Sequence, residues 1–333
     1  MTKSQIPNPK SQIFLGIDGG QSHTEALIAD ENGNILGRGL GGASNHADQP
    51  GGRERLHKAI HISVSEALKH SGLSTISDTI FSSVHCGMTG DAEYKEKIIS
   101  AILQAKKLVI GHDAPTALFG ATAGNPGVVV IAGTGSVVYG INQMGETARA
   151  GGLGYLFSDE GSGFWLATQM IRLAIKEQDK LIPPSGLQKL VLEFFGRTQI
   201  RQLTNDFYNG KISRDEIASL AKWSHEAAEN GNETIKDQIK FGVNVLTDSV
   251  KCVAKELNFD KNFPVAGVGG MFRANLMNKY FKESLSKKNE NAEFMKSRFG
   301  PAIGALLMAY HQIGIEINDN LLNNLEKSQS KND

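Results

Sequence analysis

Two glycine-rich turns in the sequence combine backbone freedom with hydroxyl side chains. The first covers residues 18–22 (DGGQS) and the second covers residues 133–136 (GTGS). Glycine lets consecutive backbone amides converge on an anion, and a hydroxyl group adds a further donor. The pair of turns therefore suits the phosphates of a nucleotide. Each turn taken alone also fits a tight hairpin that needs positive backbone angles.

Three aspartates lie where a carboxylate could act on phosphates or on a substrate. Asp18 directly follows an apolar strand, and it could hold a water of a Mg²⁺ ion that bridges phosphates or simply satisfy turn amides. Asp113 starts a predicted helix, as a plain N-cap or as a base that faces a substrate hydroxyl. Asp159 precedes another helix, where an acidic residue is favoured by the helix dipole without any further role.

Other familiar sites fail on detail. No GxxxxGK[ST] sequence occurs, and residues 37–42 match GxGxxG without the following helix that a dinucleotide site needs. His57 and His61 form an HxxxH pair with no third ligand, which favours a solvated helix face over zinc. Cys86 and Cys252 each lack a neighbouring cysteine, so a disulfide framework and a CxxC metal site are excluded.

Composition restricts the partners. The 333 residues carry 35 Lys plus Arg and 35 Asp plus Glu, so no net charge favours nucleic acid. The first 12 residues lack the apolar core of a signal peptide, and no apolar run approaches the roughly 20 residues of a membrane helix. We expect no nucleic-acid or membrane partner and a cytoplasmic location.

The elements that position these residues form a repeated pattern. A strand, a glycine turn with a hydroxyl, a second strand and a hairpin turn occur from residue 13 and again from residue 127. Strands and helices alternate after the first copy, which predicts an α/β fold. Further helices are predicted at 53–70, 91–103, 114–123, 162–176, 234–256, 272–281 and 302–311, and further strands at 80–84, 107–110 and 263–268.

Taken together, these segments resemble the sugar-kinase/actin/Hsp70 superfamily. Its two phosphate loops correspond to residues 16–22 and 131–136, and its adenosine segment corresponds to residues 265–270. Within that superfamily the chain resembles the BadF/BadG/BcrA/BcrD ATPase family, in particular its N-acetylglucosamine kinase branch. The motifs that carry this resemblance are SNH at 44–46, HDA at 112–114, GTGS at 133–136, GG at 151–152 and DEGS at 159–162.

The resemblance implies an actin-like ATPase (ribonuclease H-like) fold with two lobes, a cleft between them, and duplicated strand-meander units. We expect an N-terminal lobe at residues 1–122, on which the tail at 313–333 docks back, and a C-terminal lobe with a helical part at residues 123–312. The implied activity is ATP-dependent phosphorylation of the 6-hydroxyl of N-acetylglucosamine. ATP and Mg²⁺ are the implied cofactors, and a homodimer is the implied assembly.

The resemblance also assigns roles to individual residues. Asp113 is the implied catalytic base, and Asp18 is the implied metal-binding residue. ATP and its phosphates are assigned to Asp18, Gly19, Gly20, Gln21, Ser22, Gly133, Thr134, Gly135, Gly269 and Gly270. The sugar is assigned to Asn45, His46, Asp113, Ser136, Gly151, Gly152 and Asp159.

The first turn departs from the usual family pattern, and other functions compete. Relatives more often have DGGGT where this chain has DGGQS; Gln21 lacks the backbone freedom of glycine, whereas Ser22 preserves the hydroxyl.

Glucosamine, N-acetylmuramic acid or another hexose are alternative substrates. The family also includes iron–sulfur activator ATPases, which need cysteine thiolates, and a non-catalytic sugar- or nucleotide-binding regulator is a further alternative.

Overall fold

The computed structural model describes residues 12–20, 23–45, 47–90 and 92–329. The chain divides into two compact units. The first contains Met1–Asn125 and Ser297–Asp333, and the second contains Pro126–Lys296, so the second unit is inserted into the first.

The first unit contains a five-stranded sheet in the order β3-β2-β1-β5-β7. Its strands are β1 (Ile13–Gly19), β2 (Thr24–Asp30), β3 (Ile35–Gly41), β5 (Ser83–Met88) and β7 (Leu108–Gly111). The first three strands are antiparallel neighbours, whereas β1, β5 and β7 run parallel. The short strands β4 (Ile80–Phe81) and β6 (Gln104–Ala105) pair separately. The carboxyl ends of the three parallel strands therefore lie along one edge of the sheet.

Helices cover both faces of this sheet. They are α1 (Gly52–Ser71), α2 (Ala92–Ile99), α3 (Asp113–Thr122), α10 (Pro301–His311) and α11 (Asp319–Gln329), numbered along the whole chain, with a 3₁₀ turn at Ile76–Asp78. Side chains of β1 alternate between the two faces. Leu15 shares a core with Leu56 of α1, whereas the ring of Phe14 lies 4.5 Å from that of Tyr310 in α10. Burial on both faces explains why β1 is almost continuously apolar.

The second unit repeats the strand arrangement. Its sheet has the order β10-β9-β8-β11-β12, formed by β8 (Gly127–Ala132), β9 (Ser136–Ile141), β10 (Thr147–Gly151), β11 (Phe263–Val268) and β12 (Ala292–Lys296). Three antiparallel strands are again followed by two parallel ones. This agreement between the two sheets confirms the predicted pair of strand-meander units.

Helices between β10 and β12 complete the second unit. They are α4 (Gly163–Gln178), α5 (Leu187–Phe195), α6 (Ile200–Tyr208), α7 (Arg214–Glu229), α8 (Glu233–Glu256) and α9 (Asn275–Lys288), with a 3₁₀ turn at Gly270–Arg273. Apolar side chains of these helices and of the sheet form one core. In the part of the chain that the structure describes, no helix is both long and apolar enough to cross a membrane.

Several elements differ from the sequence-based expectation. Residues 297–312 lie in the first unit, although the predicted division placed them in the second lobe, because α10 packs on α3 and β1. The predicted strand at 80–84 is divided between β4 and β5. The helix predicted at 91–103 is observed only as α2, which ends at Ile99, and Asp91 lies outside the described residues. Strand β12 was not predicted, because its side chains are only partly buried at the edge of the sheet and show no clean alternation.

Close backbone contact between α3 and α10 depends on glycine. A Cβ atom at Gly304 would lie 1.9 Å from the carbonyl oxygen of Thr116 and 2.6 Å from the backbone nitrogen of Gly120. Neither neighbour is a flexible side chain that could turn away. The two helices can therefore approach this closely only without a side chain at position 304.

We expect Gly304→Ala to destabilise the protein by about 1–3 kcal/mol, because the methyl group forces the two helix backbones apart. Thermal unfolding followed by circular dichroism measures this change. Gly42→Ala is the control, since a Cβ atom there meets nothing within 4 Å. Equal unfolding temperatures for Gly304→Ala and Gly42→Ala would contradict the close contact.

His225 is a buried titratable residue in the helical part of the second unit. It lies on α7, and neither of its ring nitrogens has a hydrogen-bond partner among the described residues. Burial lowers the pKa of His225 from 6.5 to about 4. The folded protein therefore keeps this ring neutral at pH values where an unfolded chain would bind a proton.

Below pH 6.5 the unfolded state binds a proton at His225, whereas the folded state does not until the pH approaches 4. Stability therefore falls as the pH decreases towards 4. We expect this residue to remove about 2 kcal/mol of stability between pH 7 and pH 5. Urea unfolding of wild type and His225→Leu at both pH values measures the contribution. The hypothesis fails if the two proteins lose equal stability over that interval.

Candidate active site

Asp18 lies at the carboxyl end of β1 in the middle of the first sheet. In the strand register it is opposite Glu25 on one side and Gly87 on the other. Its side chain is half-buried, and burial together with the charges of Asp113 and Glu25 raises its pKa to about 7. Glu25 forms an ion pair with Arg38, with 2.7 Å between the Glu25 Oε1 and Arg38 Nε atoms. The charge of Arg38 therefore compensates that of Glu25.

The glycine corner after Asp18 is held by backbone hydrogen bonds. The Gly20 amide donates to the His23 carbonyl at 3.0 Å, and the Ser44 amide donates to the Gly20 carbonyl at 3.2 Å. A Cβ atom at Gly19 would lie 2.6 Å from the Ser44 hydroxyl oxygen. The polar loop that contains Asn45 is therefore anchored beside this corner. The predicted site residues Gln21, Ser22 and His46 lie outside the described residues.

Asp113 begins α3, but it is not the residue that caps the helix. His112 holds the N-cap position, without a side-chain capping bond. The Thr89 hydroxyl donates to Oδ2 of Asp113 at 2.8 Å, and the Thr116 hydroxyl donates to the Asp113 carbonyl at 2.7 Å. The half-buried carboxylate is thus fixed through one oxygen by a neighbouring loop rather than used for helix capping.

In the second unit, the predicted second phosphate loop lies between β8 and β9. The Gly133 amide donates to the Gly135 carbonyl at 2.9 Å, which closes a tight corner. The amide of Gly163, at the start of α4, donates to the Gly133 carbonyl at 2.8 Å. The Thr134 hydroxyl donates to Oδ1 of Asp215 at 2.9 Å. The loop is therefore tied both to α4 and to the first turn of α7.

Asp159 lies against this loop in an unusual backbone conformation. Its φ is 72°, its side chain is 5% exposed, and a Cβ atom at Gly135 would lie 2.8 Å from its Oδ2. Burial raises the pKa of Asp159, while the Ser136 amide and the charge of Arg214 oppose that change. A left-handed conformation in a residue other than glycine costs about 1–3 kcal/mol, so the surrounding contacts must hold it. Ser162, not Asp159, caps α4.

The remaining glycines of the predicted site divide into close and open positions. Gly269 has φ 105°, and a Cβ atom there would lie 2.5 Å from the Ala132 carbonyl oxygen. The end of β11 therefore touches the start of the second phosphate loop. Gly151 and Gly152 have φ of 73° and 70° at the end of β10, whereas a Cβ atom at Gly270 meets nothing within 4 Å.

The structure thus groups the predicted residues within each unit. Asp18, Gly19, Gly20, Asn45 and Asp113 belong to the first unit, and Gly133, Thr134, Gly135, Ser136, Gly151, Gly152, Asp159, Gly269 and Gly270 belong to the second. Sequence reasoning missed Thr89 and Asp215. Thr89 follows a buried strand that runs parallel to β1, and this position at the carboxyl edge is the signal that could have identified it. Asp215 is remote in sequence and gave no signal.

A metal site made of protein side chains alone is not found in the described part of the chain. No group of three or more His, Cys, Asp or Glu residues there is arranged to hold an ion. A Mg²⁺ ion that bridges phosphates commonly uses only one or two carboxylates. The half-buried Asp18, with its raised pKa and its neighbouring negative charges, fits such a role.

Comparison with known proteins gives similar chains at full length. An N-acetyl-D-glucosamine kinase of Dictyostelium discoideum is 30% identical over 318 residues, which covers 90% of this chain and 98% of the relative. An N-acetylmuramic acid/N-acetylglucosamine kinase of Clostridium acetobutylicum is 28% identical over 302 residues and covers 90% and 98%, respectively.

A solved structure shows the same fold. A candidate N-acetylglucosamine kinase from Chromobacterium violaceum matches with a TM-score of 0.74 and 24% identity, covering 90% of this chain and all of that one. The predicted actin-like ATPase fold is thus confirmed. The model of the BadF/BadG/BcrA/BcrD ATPase family matches residues 15–309, which include both glycine corners, Asp113 and Asp159. With the repeated sheets and full-length relatives, this match shows that the chain belongs to the BadF/BadG/BcrA/BcrD ATPase family.

Proposed function

We propose that this protein transfers the γ-phosphoryl group of ATP to the 6-hydroxyl of N-acetylglucosamine. The observation that carries the proposal is the Asp113 carboxylate, held by Thr89 at the start of α3 and close enough to Asp18 to raise its pKa. A positioned carboxylate beside a phosphate-binding corner is what transfer to an alcohol requires. The full-length relatives named as amino-sugar kinases support the choice of acceptor.

In this mechanism Asp113 orients the acceptor hydroxyl and receives its proton. The Thr89 hydroxyl donates to Oδ2, and we assign the other carboxylate oxygen, Oδ1, to the acceptor hydroxyl. Phosphoryl transfer has a loose transition state and depends mainly on alignment and on charge stabilisation. A fixed carboxylate therefore contributes mostly by holding the attacking oxygen in line with the phosphorus atom.

The glycine corners and Asp159 supply the remaining contacts. Gly19, Gly20, Gly133 and Gly135 let the backbone of the two corners approach the phosphate oxygens, and Gly269 and Gly270 lie against the nucleoside. Asn45, Ser136, Gly151, Gly152 and Asp159 bind the hydroxyl groups of the sugar.

We further propose that Asp18 holds Mg²⁺ through its carboxylate or through a bound water. A Mg²⁺ ion held by Asp18 would neutralise charge on the phosphates. An opposite charge beside Asp18 would also offset the repulsion that raises the pKa of this residue.

An N-acetylmuramic acid kinase activity is a second candidate, because the Clostridium acetobutylicum relative carries both sugars in its name. Glucosamine or another hexose stays an alternative acceptor. An electron-transferring activator has less support, since burial raises the pKa of the Cys86 thiol to about 12 and such a thiol is a poor cluster ligand. A cytoplasmic location and a homodimer are further parts of this proposal.

We expect ATP turnover with Mg²⁺ to depend on an N-acetylated amino sugar. Coupled ADP release is measured with N-acetylglucosamine, N-acetylmuramic acid, glucosamine, N-acetylmannosamine, glucose and no sugar. The highest kcat/KM should belong to N-acetylglucosamine. ATP hydrolysis that is indifferent to every sugar would instead indicate an activator ATPase, and absence of hydrolysis would indicate a binding protein.

We expect Asp113→Asn to lower kcat by about 10²–10⁴-fold, because the amide cannot accept the proton of the acceptor hydroxyl. Binding of the sugar, measured by calorimetry, should stay within a few-fold of wild type. Asp260→Asn, an exposed position in the second unit, is the control for an equal change of charge. Turnover of Asp113→Asn close to that of Asp260→Asn would remove Asp113 from the role of base.

A further inference from the structure

Lys95 is a charged side chain in an unexpected place. It lies on α2, where it is 1% exposed, and it shares the buried side of that helix with Ile98 and Ile99. Burial of an ammonium group is costly unless the charge is hydrogen-bonded or paired. A residue of this kind at a position suited to leucine or methionine therefore calls for a specific role.

The ammonium group of Lys95 contacts the loop that follows β5. Its Nζ atom donates a hydrogen bond to the backbone carbonyl of Thr89. The next residue, Gly90, has φ 96°, and a Cβ atom there would lie 3.5 Å from the same Nζ atom. Lys95 is thus packed directly against a sharp backbone turn at the carboxyl edge of the sheet.

Thr89 is held at all three of its polar groups. Its amide donates to the Gly19 carbonyl at 3.1 Å, its carbonyl accepts from Lys95, and its hydroxyl donates to Oδ2 of Asp113 at 2.8 Å. The hydrogen bond from the Thr89 amide to the Gly19 carbonyl sets the distance between this loop and the first glycine corner. The hydrogen bond from Lys95 restrains the peptide plane between Thr89 and Gly90, and so restrains the loop that carries the threonine hydroxyl.

We infer that Lys95 is a positioning residue for the reaction, which acts on Asp113 through Thr89. The inference rests on the proposed role of Asp113 as the base. The ammonium group holds the loop after β5 so that the Thr89 hydroxyl occupies Oδ2 of Asp113 and leaves the other carboxylate oxygen in line for the acceptor hydroxyl. Displacement of a reacting group by about 1 Å costs on the order of 100-fold in rate.

A purely stabilising role for Lys95 would have different consequences. A buried ion replaced by an apolar side chain of similar volume is often neutral or stabilising for the fold. If Lys95 only filled space, Lys95→Met would leave the kinetics of the folded enzyme unchanged, whatever its effect on the unfolding temperature. If it positions Asp113, kcat falls while the affinities for ATP and sugar are retained.

The test is a double-mutant cycle of Lys95→Met and Thr89→Val, assayed with the sugar that wild type turns over best. Each single variant should lower kcat by about 10- to 100-fold, with both KM values within about threefold. Because both changes break one chain of contacts, the double variant should lose no more than the poorer single variant. Thr89→Ser, which keeps the hydroxyl, should recover most of the kcat that Thr89→Val loses.

Three results would overturn the inference: kcat of Lys95→Met within twofold of wild type, losses that multiply in the double variant, or full kcat in Thr89→Val. The last result is decisive even if Lys95→Met does not fold, since Thr89→Val leaves the lysine in place. Absence of sugar-dependent turnover in wild type would instead refute the proposed function. Hydrogen exchange then tests Lys95 without any activity: the Thr89 amide should exchange faster in Lys95→Met, and equal exchange would refute the inference.

Discussion

Two carboxylates held near each other at the edge of one sheet are the constraint on which the first unit depends. Burial of Asp18, together with repulsion from Asp113 and Glu25, raises the pKa of Asp18 to about 7. The fold does not relieve this cost by separating them. It fixes Asp18 between two strands and fixes Asp113 through Thr89. An opposite charge beside these carboxylates would offset their repulsion.

The second unit has the same strand arrangement as the first, but its glycine corner and its buried aspartate are held by different contacts. Its glycine corner is closed by its own backbone and tied to α4, and the adjacent Asp159 is held in a left-handed conformation. Burial raises the pKa of Asp159, and the charges of Arg214 and Arg149 oppose that rise. One strand pattern therefore supports two distinct polar environments, with acidic neighbours around Asp18 and arginines near Asp159.

The fold could largely be read from the sequence, because its strongest signals are local. Glycine corners, hairpin turns and apolar periodicity predict strands at 13–17, 24–28, 35–40, 128–132 and 137–141, within two residues of the observed ends of β1, β2, β3, β8 and β9. Tertiary contacts were not readable in this way. The assignment of α10 to the first unit depends on Phe14 and Tyr310, nearly 300 residues apart, and the edge strand β12 has too little burial to show a period.

The residues of the candidate site also divide into those that a local motif identifies and those that only tertiary contacts identify. Residues inside glycine motifs could be named from the sequence, because the motif and the backbone geometry coincide. Thr89, Lys95 and Asp215 were missed, because their importance arises from partners on other elements. Asp215 gave no signal in the sequence, whereas the position of Thr89 after a buried strand was a usable one. For Lys95 a weak signal existed: it is spaced three and four residues from Ile98 and Ile99, which places it on the buried side of α2.

The insertion of one unit into the other has a consequence for biosynthesis. The core of the first unit includes α10, whose Tyr310 packs on Phe14 and donates to the Asp30 carbonyl at 2.7 Å. Tyr310 emerges from the ribosome only after all of Pro126–Lys296 has been translated. The inserted unit has every strand of its own sheet in one continuous segment and can complete its core first. Until then, the sheet face that carries Phe14, Leu27 and Ala29 lacks the cover of α10 and α11, whereas the opposite face can already pack on α1.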